Sequence, residues 1–407
     1  MIYFDANATS RIRPAASRAV KDLVEEGSRA RNPSSVHALG RIARSRLAEA
    51  RRQVTELLLL GEHIKLRTVF TSGATEACNQ MLLGFLGPLG ELSRHPGRIV
   101  SSAIEHPAVD EPLRGLEAYG WEVLRVAPER DGIVDVDRFV GEVTPATVLV
   151  TLMAANNETG ALQPLRAIAS RLRESGYHGL IVSDYTQAFG KLAGSAKELF
   201  DAGVDALAVS GHKLGAPAGV GALFIAEGGE TVCRTYHPLI VGGAQELRFR
   251  GGSENLLGAV AFGAVAAELR SNIEFEERER RRLREWLWER LEKTISGIER
   301  LTPAGTRSIP NTLLLRIDGC RGDDVVVALD LEGVAASVGS ACASGKQGSS
   351  EVVKAMGLTD TAAREVVRLS LDWDVTESDV QLGAEILTRV IERMRSAAEV
   401  SEQWTQR

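Results

Sequence analysis

The chain has 407 residues, 44% hydrophobic and 25% charged, with a formal net charge of -6. This is the balance of a globular protein of two or three domains with sizeable cores, and not of a chain built to seek nucleic acid or an anionic membrane surface. No uninterrupted apolar run reaches membrane-spanning length, and Met1-Ile2-Tyr3-Phe4-Asp5-Ala6-Asn7 lacks the basic start and apolar centre of a signal peptide.

The four cysteines, Cys78, Cys233, Cys320 and Cys342, stand far apart with no C-x-x-C pair. That argues against structural zinc and a disulfide framework, and for a reduced, cytoplasmic protein in which an isolated cysteine is usually a small buried hydrophobe. In chain order, the first strand is predicted at Thr68-Val69-Phe70-Thr71 and runs into Ser72-Gly73-Ala74-Thr75-Glu76 before a helix. A small-residue turn at a helix N-terminus offers free N–H groups and the positive end of the dipole, which suits a phosphate; such turns also simply cap helices. Arg98-Ile99-Val100-Ser101 is followed by Glu105-His106-Pro107, and Thr147-Val148-Leu149-Val150-Thr151 by Asn156-Asn157-Glu158. Leu165, Ile168 and Leu172 fall on one face of a helix.

The run Gly179-Leu180-Ile181-Val182-Ser183 delivers Asp184, with Gln187 three residues later. A carboxylate at the C-terminal end of a buried strand lies where open α/β sheets bind ligands; it could keep a pyridinium nitrogen protonated, or cap a helix. Ala206-Leu207-Ala208-Val209 then leads into Ser210-Gly211-His212-Lys213-Leu214-Gly215. A lysine confined there would have its amine freed by desolvation to attack a carbonyl, as a pyridoxal phosphate enzyme requires. Continuous apolar strands separated by helical patterns predict an α/β domain with a mostly parallel sheet, and four polar clusters on one edge of it mark a site.

After about residue 262 the texture changes. A charged helix is predicted over Glu274 to Lys293, then the apolar runs Asn311–Arg316, Asp324–Leu329 and Val366–Leu371, and a last helix near Leu382 to Met394, together a smaller α+β domain. Within it, Ser337-Val338-Gly339-Ser340-Ala341-Cys342-Ala343-Ser344-Gly345 reads as a loop with a nucleophilic tip. Gly345-Lys346 after Gly339 is not a phosphate-binding P-loop: the spacing is one residue too long and Gln347 replaces Ser/Thr. Arg368, inside an apolar strand, needs a partner, either a substrate carboxylate or a structural ion pair.

Together these residues resemble the cysteine desulfurases, class V members of the pyridoxal phosphate aminotransferase superfamily. The match runs almost end to end, through Tyr3–Thr9, Asn32–His37, Phe70–Glu76, Glu105-His106, Asn156–Gly160, Asp184–Lys191, Ser210–Lys213 and Arg250–Asn255. Ser340-Ala341-Cys342 resembles the branch that supplies sulfur to iron–sulfur clusters and thiolated RNA bases. The resemblance implies a fold-type I enzyme with a seven-stranded, mostly parallel sheet in a large domain over 15–262, and a small domain from 1–14 and 263–407. It implies that Lys213 carries pyridoxal 5'-phosphate as a Schiff base, Asp184 pairs with the ring nitrogen, Gln187 hydrogen-bonds the phenolic oxygen, and His106 stacks on the ring and moves protons. Ala74, Thr75, Ser210 and His212 would bind the phosphate, with Ser253 reaching it from the partner subunit of a homodimer. Asn157 and Arg368 would hold the carboxylate of L-cysteine. Cys342 would take the sulfur as a persulfide, leaving alanine, and pass it to an acceptor protein.

Three segments depart from the family pattern. Ser253 replaces a usual Thr, Ala216-Pro217-Ala218-Gly219 replaces Gly-Pro-Lys-Gly, and Ser370-Leu371-Asp372 replaces Ser-Leu-Gly. Asp372 would either weaken carboxylate binding at Arg368 or point to solvent. Two other readings stand beside a working desulfurase. One is a class V enzyme acting on another amino acid, against which Ser340-Ala341-Cys342 argues; the other is a cofactor-binding scaffold for sulfur acceptors, a reading that Ala218 and Asp372 keep open.

Overall fold

The computed structural model describes residues 1–25, 31–87, 96–227, 236–339 and 349–405. The strands are β1 (Ile2–Tyr3), β2 (Leu66–Thr71), β3 (Arg98–Ser102), β4 (Glu122–Val126), β5 (Thr147–Thr151), β6 (Leu180–Asp184), β7 (Ala206–Ser210), β8 (Gly221–Ala226), β9 (Ile298–Arg300), β10 (Thr312–Ile317), β11 (Val334–Ala335) and β12 (Val366–Ser370). Seven of them form one sheet in the order β2-β8-β7-β6-β5-β3-β4. It is parallel except where β8 runs against β2 and β7. Its central strands are buried on both faces, which is why they are spelled as unbroken apolar runs.

Reversal at β8 has one consequence for the site. It restores β2 to the direction of the parallel strands, so β2, β3, β5, β6 and β7 all end on one edge. Alternate residues of each strand feed two cores. Val100, Val150, Ile181 and Leu207 face the helices Ala38–Leu59 and Leu256–Thr294. Ile99, Leu149, Val182 and Ala208 face the helices Ala74–Leu86 and Pro107–Ala118.

The helix predicted from Glu274 is the second half of one 39-residue helix, Leu256–Thr294. Its first half is apolar enough, by length and composition, to cross a membrane. Here Ala259, Phe262, Val265 and Leu269 instead lie in the core over the large sheet, while Leu283, Leu287 and Leu291 lie in a separate core with β10 and β12. In that second core β12, β10 and β9 form an antiparallel sheet, and Asp324–Leu329 is helical, inside Gly322–Leu331. The N-terminal strand β1 pairs in parallel with β11, and Asp5 bridges to Ser370. Residues 4–13 therefore run from this core across to the edge of the large sheet.

Candidate active site

Four of the predicted clusters converge on the common edge. The β2 strand ends at Thr71, and the helix Ala74–Leu86 opens just after it with Gly73 as its N-cap and no side-chain hydrogen bond at that cap. A Cβ built on Gly73 would stand 3.9 Å from Ser210 Oγ, so the turn and Ser210 share one small space. Gly221 makes this approach possible: a Cβ there would come 2.5 Å from Val209 O and 2.7 Å from the Gly73 backbone. Ala74 is half-buried and Thr75 exposed. Ser210, with the half-buried His212 two residues on, stands beside this helix N-terminus, a place whose free N–H groups suit an anion. Burial, reinforced by the charges of Lys213 and Lys191, depresses His212 to about 4, and its Nδ1 lies 3.1 Å from Thr9 Oγ1.

After Ser210 the chain makes one 3-10 turn, Gly211–Lys213, which turns the Lys213 side chain back over the edge. Its amine donates to the carbonyls of Asn7 and Ala8, each at 2.7 Å. Asp184, at the end of β6, is 6% exposed and accepts the Thr186 N–H at 2.9 Å. Near it, Ser183 Oγ and Thr186 Oγ1 are buried with no hydrogen-bond partner among the described residues. Cys78 lies against Asp184 from the helix side, and burial followed by the Asp184 charge pushes its thiol well above the ordinary range. It is a buried hydrophobe, as is Cys320.

His106 caps the helix Pro107–Ala118. Its Nδ1 accepts the Ala108 N–H at 3.0 Å, which leaves the proton of the neutral ring on Nε2. Glu105, beside it, is buried: Oε1 accepts from Ser102 Oγ (2.6 Å) and Met153 N (2.8 Å). Its Oε2 has no partner among the described residues, and burial drives the carboxyl up to about 7.

The second half of the site comes from the other core. Arg368 on β12 is 2% exposed. Its Nη2 donates to Asp5 Oδ1 (2.8 Å) and its Nη1 to the carbonyls of Asn157 (3.0 Å) and Gly339 (3.2 Å), while Nε is buried without a partner among the described residues. The structural ion pair foreseen as one option is thus present, with Asp5, alongside the contact to Asn157.

Cys342 and the rest of 340–348 lie outside the described residues, as does Cys233. The stem of the segment is held tightly. Ser337 pairs with the Arg368 backbone, and Ser350 Oγ donates to the buried Glu158 at 2.6 Å. Gly339 has φ +86°, and a Cβ there would stand 2.7 Å from Glu158 Oε2, so only glycine fits.

Asp372 does not point to solvent, one of the two alternatives expected of it. It is 4% exposed and accepts from Ser10 Oγ (2.5 Å), Arg11 N (2.7 Å) and Trp373 N (2.8 Å), anchoring the N-terminal segment. Ala218 is exposed. Ser253 is exposed just before the helix Leu256–Thr294.

Sequence reasoning assigned no role to Asn7 or Lys191, although both sit inside the family motifs. Asn7 is 2% exposed and ties the two halves together. Its N–H donates to Ser370 Oγ and its side-chain amide to Asn157 O and Thr312 Oγ1, while its carbonyl accepts from Lys213. The available signal was a buried-type polar residue directly after a strand, in a segment the periodicity leaves unassigned.

A flexible amine, a buried carboxylate at a strand end, a helix N-terminus and a neutral histidine on one edge fit pyridoxal phosphate: an aldehyde, a ring nitrogen and a phosphate each find a chemically matched group. Among the described residues, no group of three or more His, Cys, Asp or Glu side chains is placed to hold a metal.

The comparisons agree. The family model described as aminotransferase class-V matches residues 2–382. A cysteine desulfurase IscS of Dictyoglomus turgidum is 32% identical over 403 residues, covering 99% of this chain and 98% of the relative. Among solved structures, a NifS-like protein superposes with a TM-score of 0.84 at 28% identity, covering 96% of this chain and 99% of that one. The structure titled SspA in complex with cysteine does so at 0.75 and 26%, covering 91% and 99%. With the family model spanning both cores and the site, the chain belongs to the class V aminotransferase family, within its cysteine desulfurases, which are pyridoxal phosphate-dependent enzymes.

Proposed function

We propose that this enzyme takes the sulfur of L-cysteine onto Cys342 as a persulfide, releases L-alanine, and hands the sulfur to an acceptor protein in the cytoplasm, working as a homodimer. What supports the reading most is the convergence of Lys213, Asp184 and the Gly73 turn on one edge, facing Arg368 from the second core. Lys213 would hold the cofactor covalently, Asp184 its ring nitrogen, Gln187 its phenolic oxygen, and Ala74, Thr75, Ser210 and His212 its phosphate, with Ser253 contributed by the second copy. When bound, the cofactor supplies an electron sink at the substrate's α-carbon.

The chain's own residues do the rest. Arg368 and Asn157 orient the substrate carboxylate, with Arg368 preorganised by its bond to Asp5. His106, with its proton on Nε2, holds or moves a proton over the site. The Cys342 thiolate attacks the substrate sulfur, an S–S bond forms as the C–S bond breaks, and the carbon left behind gains a proton. Reduction of the cofactor-loaded protein with borohydride tests the anchor. Peptide mass mapping should place the reduced cofactor on Lys213, and Lys213→Ala should carry none; label on another lysine would overturn the assignment.

A further inference from the structure

Two amides and a buried amine meet beneath the site, and their donor and acceptor roles follow by elimination. Lys191 is 3% exposed, and its Nζ lies 2.9 Å from Asn7 Oδ1 and 2.5 Å from Gln187 Oε1. Its N–H groups donate to both, so both neighbours are amide oxygens. The far ends of the two amides give an independent check. The other terminal atom of Asn7 meets the Asn157 carbonyl at 3.0 Å, and that of Gln187 meets the Asn7 carbonyl at 3.2 Å. Carbonyls only accept, so both terminal atoms are NH2 groups. Every contact demands the same orientation. The Asn7 carbonyl that receives Gln187 also receives the Lys213 amine, so the Gln187 NH2 and Lys213 share one acceptor.

We propose that Lys191 is a positioning residue: by donating to Gln187 Oε1 it turns the Gln187 amide so that its NH2 group faces the Lys213 side. Gln187 then offers the phenolic oxygen of the cofactor a donor and not an acceptor. This rests on the reading of Gln187 as a cofactor contact. Reversed, the amide would set oxygen against the Asn7 carbonyl and leave Lys191 facing an NH2 group. A donor stabilises an ionised phenolic oxygen and weakens its pull on the neighbouring proton, so losing the donor raises the pH at which the bound cofactor's visible absorbance changes.

Burial first, and then the like charges of Lys213, Arg280 and Arg368, hold the Lys191 amine well below the usual lysine range, with only Asp372 opposing them. The test must separate charge from hydrogen bonding. Lys191→Gln and Lys191→Met both remove the charge, but only Lys191→Met removes the donor. In the pyridoxal phosphate-loaded proteins, with folding checked by circular dichroism, the absorbance midpoint of Lys191→Met should lie about one pH unit above that of Lys191→Gln, a tenfold change in the ionisation equilibrium. Equal midpoints would overturn the proposal. Gln187→Met should shift the midpoint in the same direction; if it leaves the wild-type value, the reading of Gln187 itself fails. If Lys191→Met does not fold, Gln187→Glu decides. It keeps an oxygen for Lys191, loses the NH2 and adds a negative charge, so its midpoint must lie at or above that of Gln187→Met, and a wild-type midpoint would overturn the proposal.

Discussion

Glu105 and His212 show opposite effects of burial on single side chains near the same edge. Burial first, and then the negative charge of Asp184, lift the Glu105 carboxyl to about 7 from its ordinary 4.5. The folded protein therefore keeps a proton there that the unfolded chain gives up. The stability this contributes is complete below about pH 4.5 and is lost as the pH rises through about 7. Glu105→Gln mimics the protonated acid, keeps an oxygen for Ser102 and Met153, and cannot ionise. The variant should gain about 3 kcal/mol relative to wild type between pH 4.5 and 8, as urea unfolding across that range would record. A difference that does not change with pH would contradict the buried, protonated carboxyl. His212 has the reverse sign. With its folded value depressed to about 4 from 6.5, the stability it contributes is present above about pH 6.5 and lost as the pH falls toward 4.

Among elements, the turn Gln245–Arg248 stands out, because Glu246, Leu247 and Arg248 all have positive φ, at 44°, 58° and 72°. The conformation delivers the Glu246 carboxylate to Arg51, at 2.6 and 2.8 Å, and to the Phe70 N–H at 2.8 Å, fixing the end of β2 that leads into the Gly73 turn. Glu246→Ala should destabilise the protein by about 2–4 kcal/mol, leaving Arg51 without its carboxylate partner and a buried N–H unpaired. Leu247 is 61% exposed, so Leu247→Gly gives up little packing, relieves a left-handed residue and should stabilise by about 1 kcal/mol. Chemical denaturation of both variants checks the pair, and a destabilising Leu247→Gly would show that the side chain is held by something else. The elements legible in the sequence were those with a plain signal. Doubly buried strands spelled themselves as apolar runs, whereas β4 did not, because as the edge of the sheet it carries Glu122 and Arg125. β8, Gly-Ala-Leu-Phe-Ile-Ala, was hidden behind a loop rich in glycine and proline. Of the long helix only the charged half showed a pattern; the first half, Leu256 to Ala267, is apolar all round and has no period to read.

Across the whole molecule, the N-terminal segment is the strap between the two halves, and its contacts are the part no local reading reaches. Asp372 and Ser10 are 362 residues apart in the chain, and Asn7 and Ser370 are 363 apart. The candidate chemistry was legible because each group follows its own strand; the strap was not, because every partner it has is distant. Asp372→Asn removes one of two oxygens that receive three donors, and should lower stability by about 2 kcal/mol. Since that carboxylate is already held by the strap, the KM for L-cysteine should stay within about threefold of wild type; a large fall in KM would show that Asp372 repels the substrate after all. The most direct test of the whole account is alanine production from L-cysteine by the pyridoxal phosphate-loaded enzyme, with Cys342→Ala run beside it. The account predicts alanine from wild type and none from Cys342→Ala, with the same cofactor absorbance in both. Undiminished alanine from Cys342→Ala, or none from a fully loaded wild-type enzyme, would contradict it.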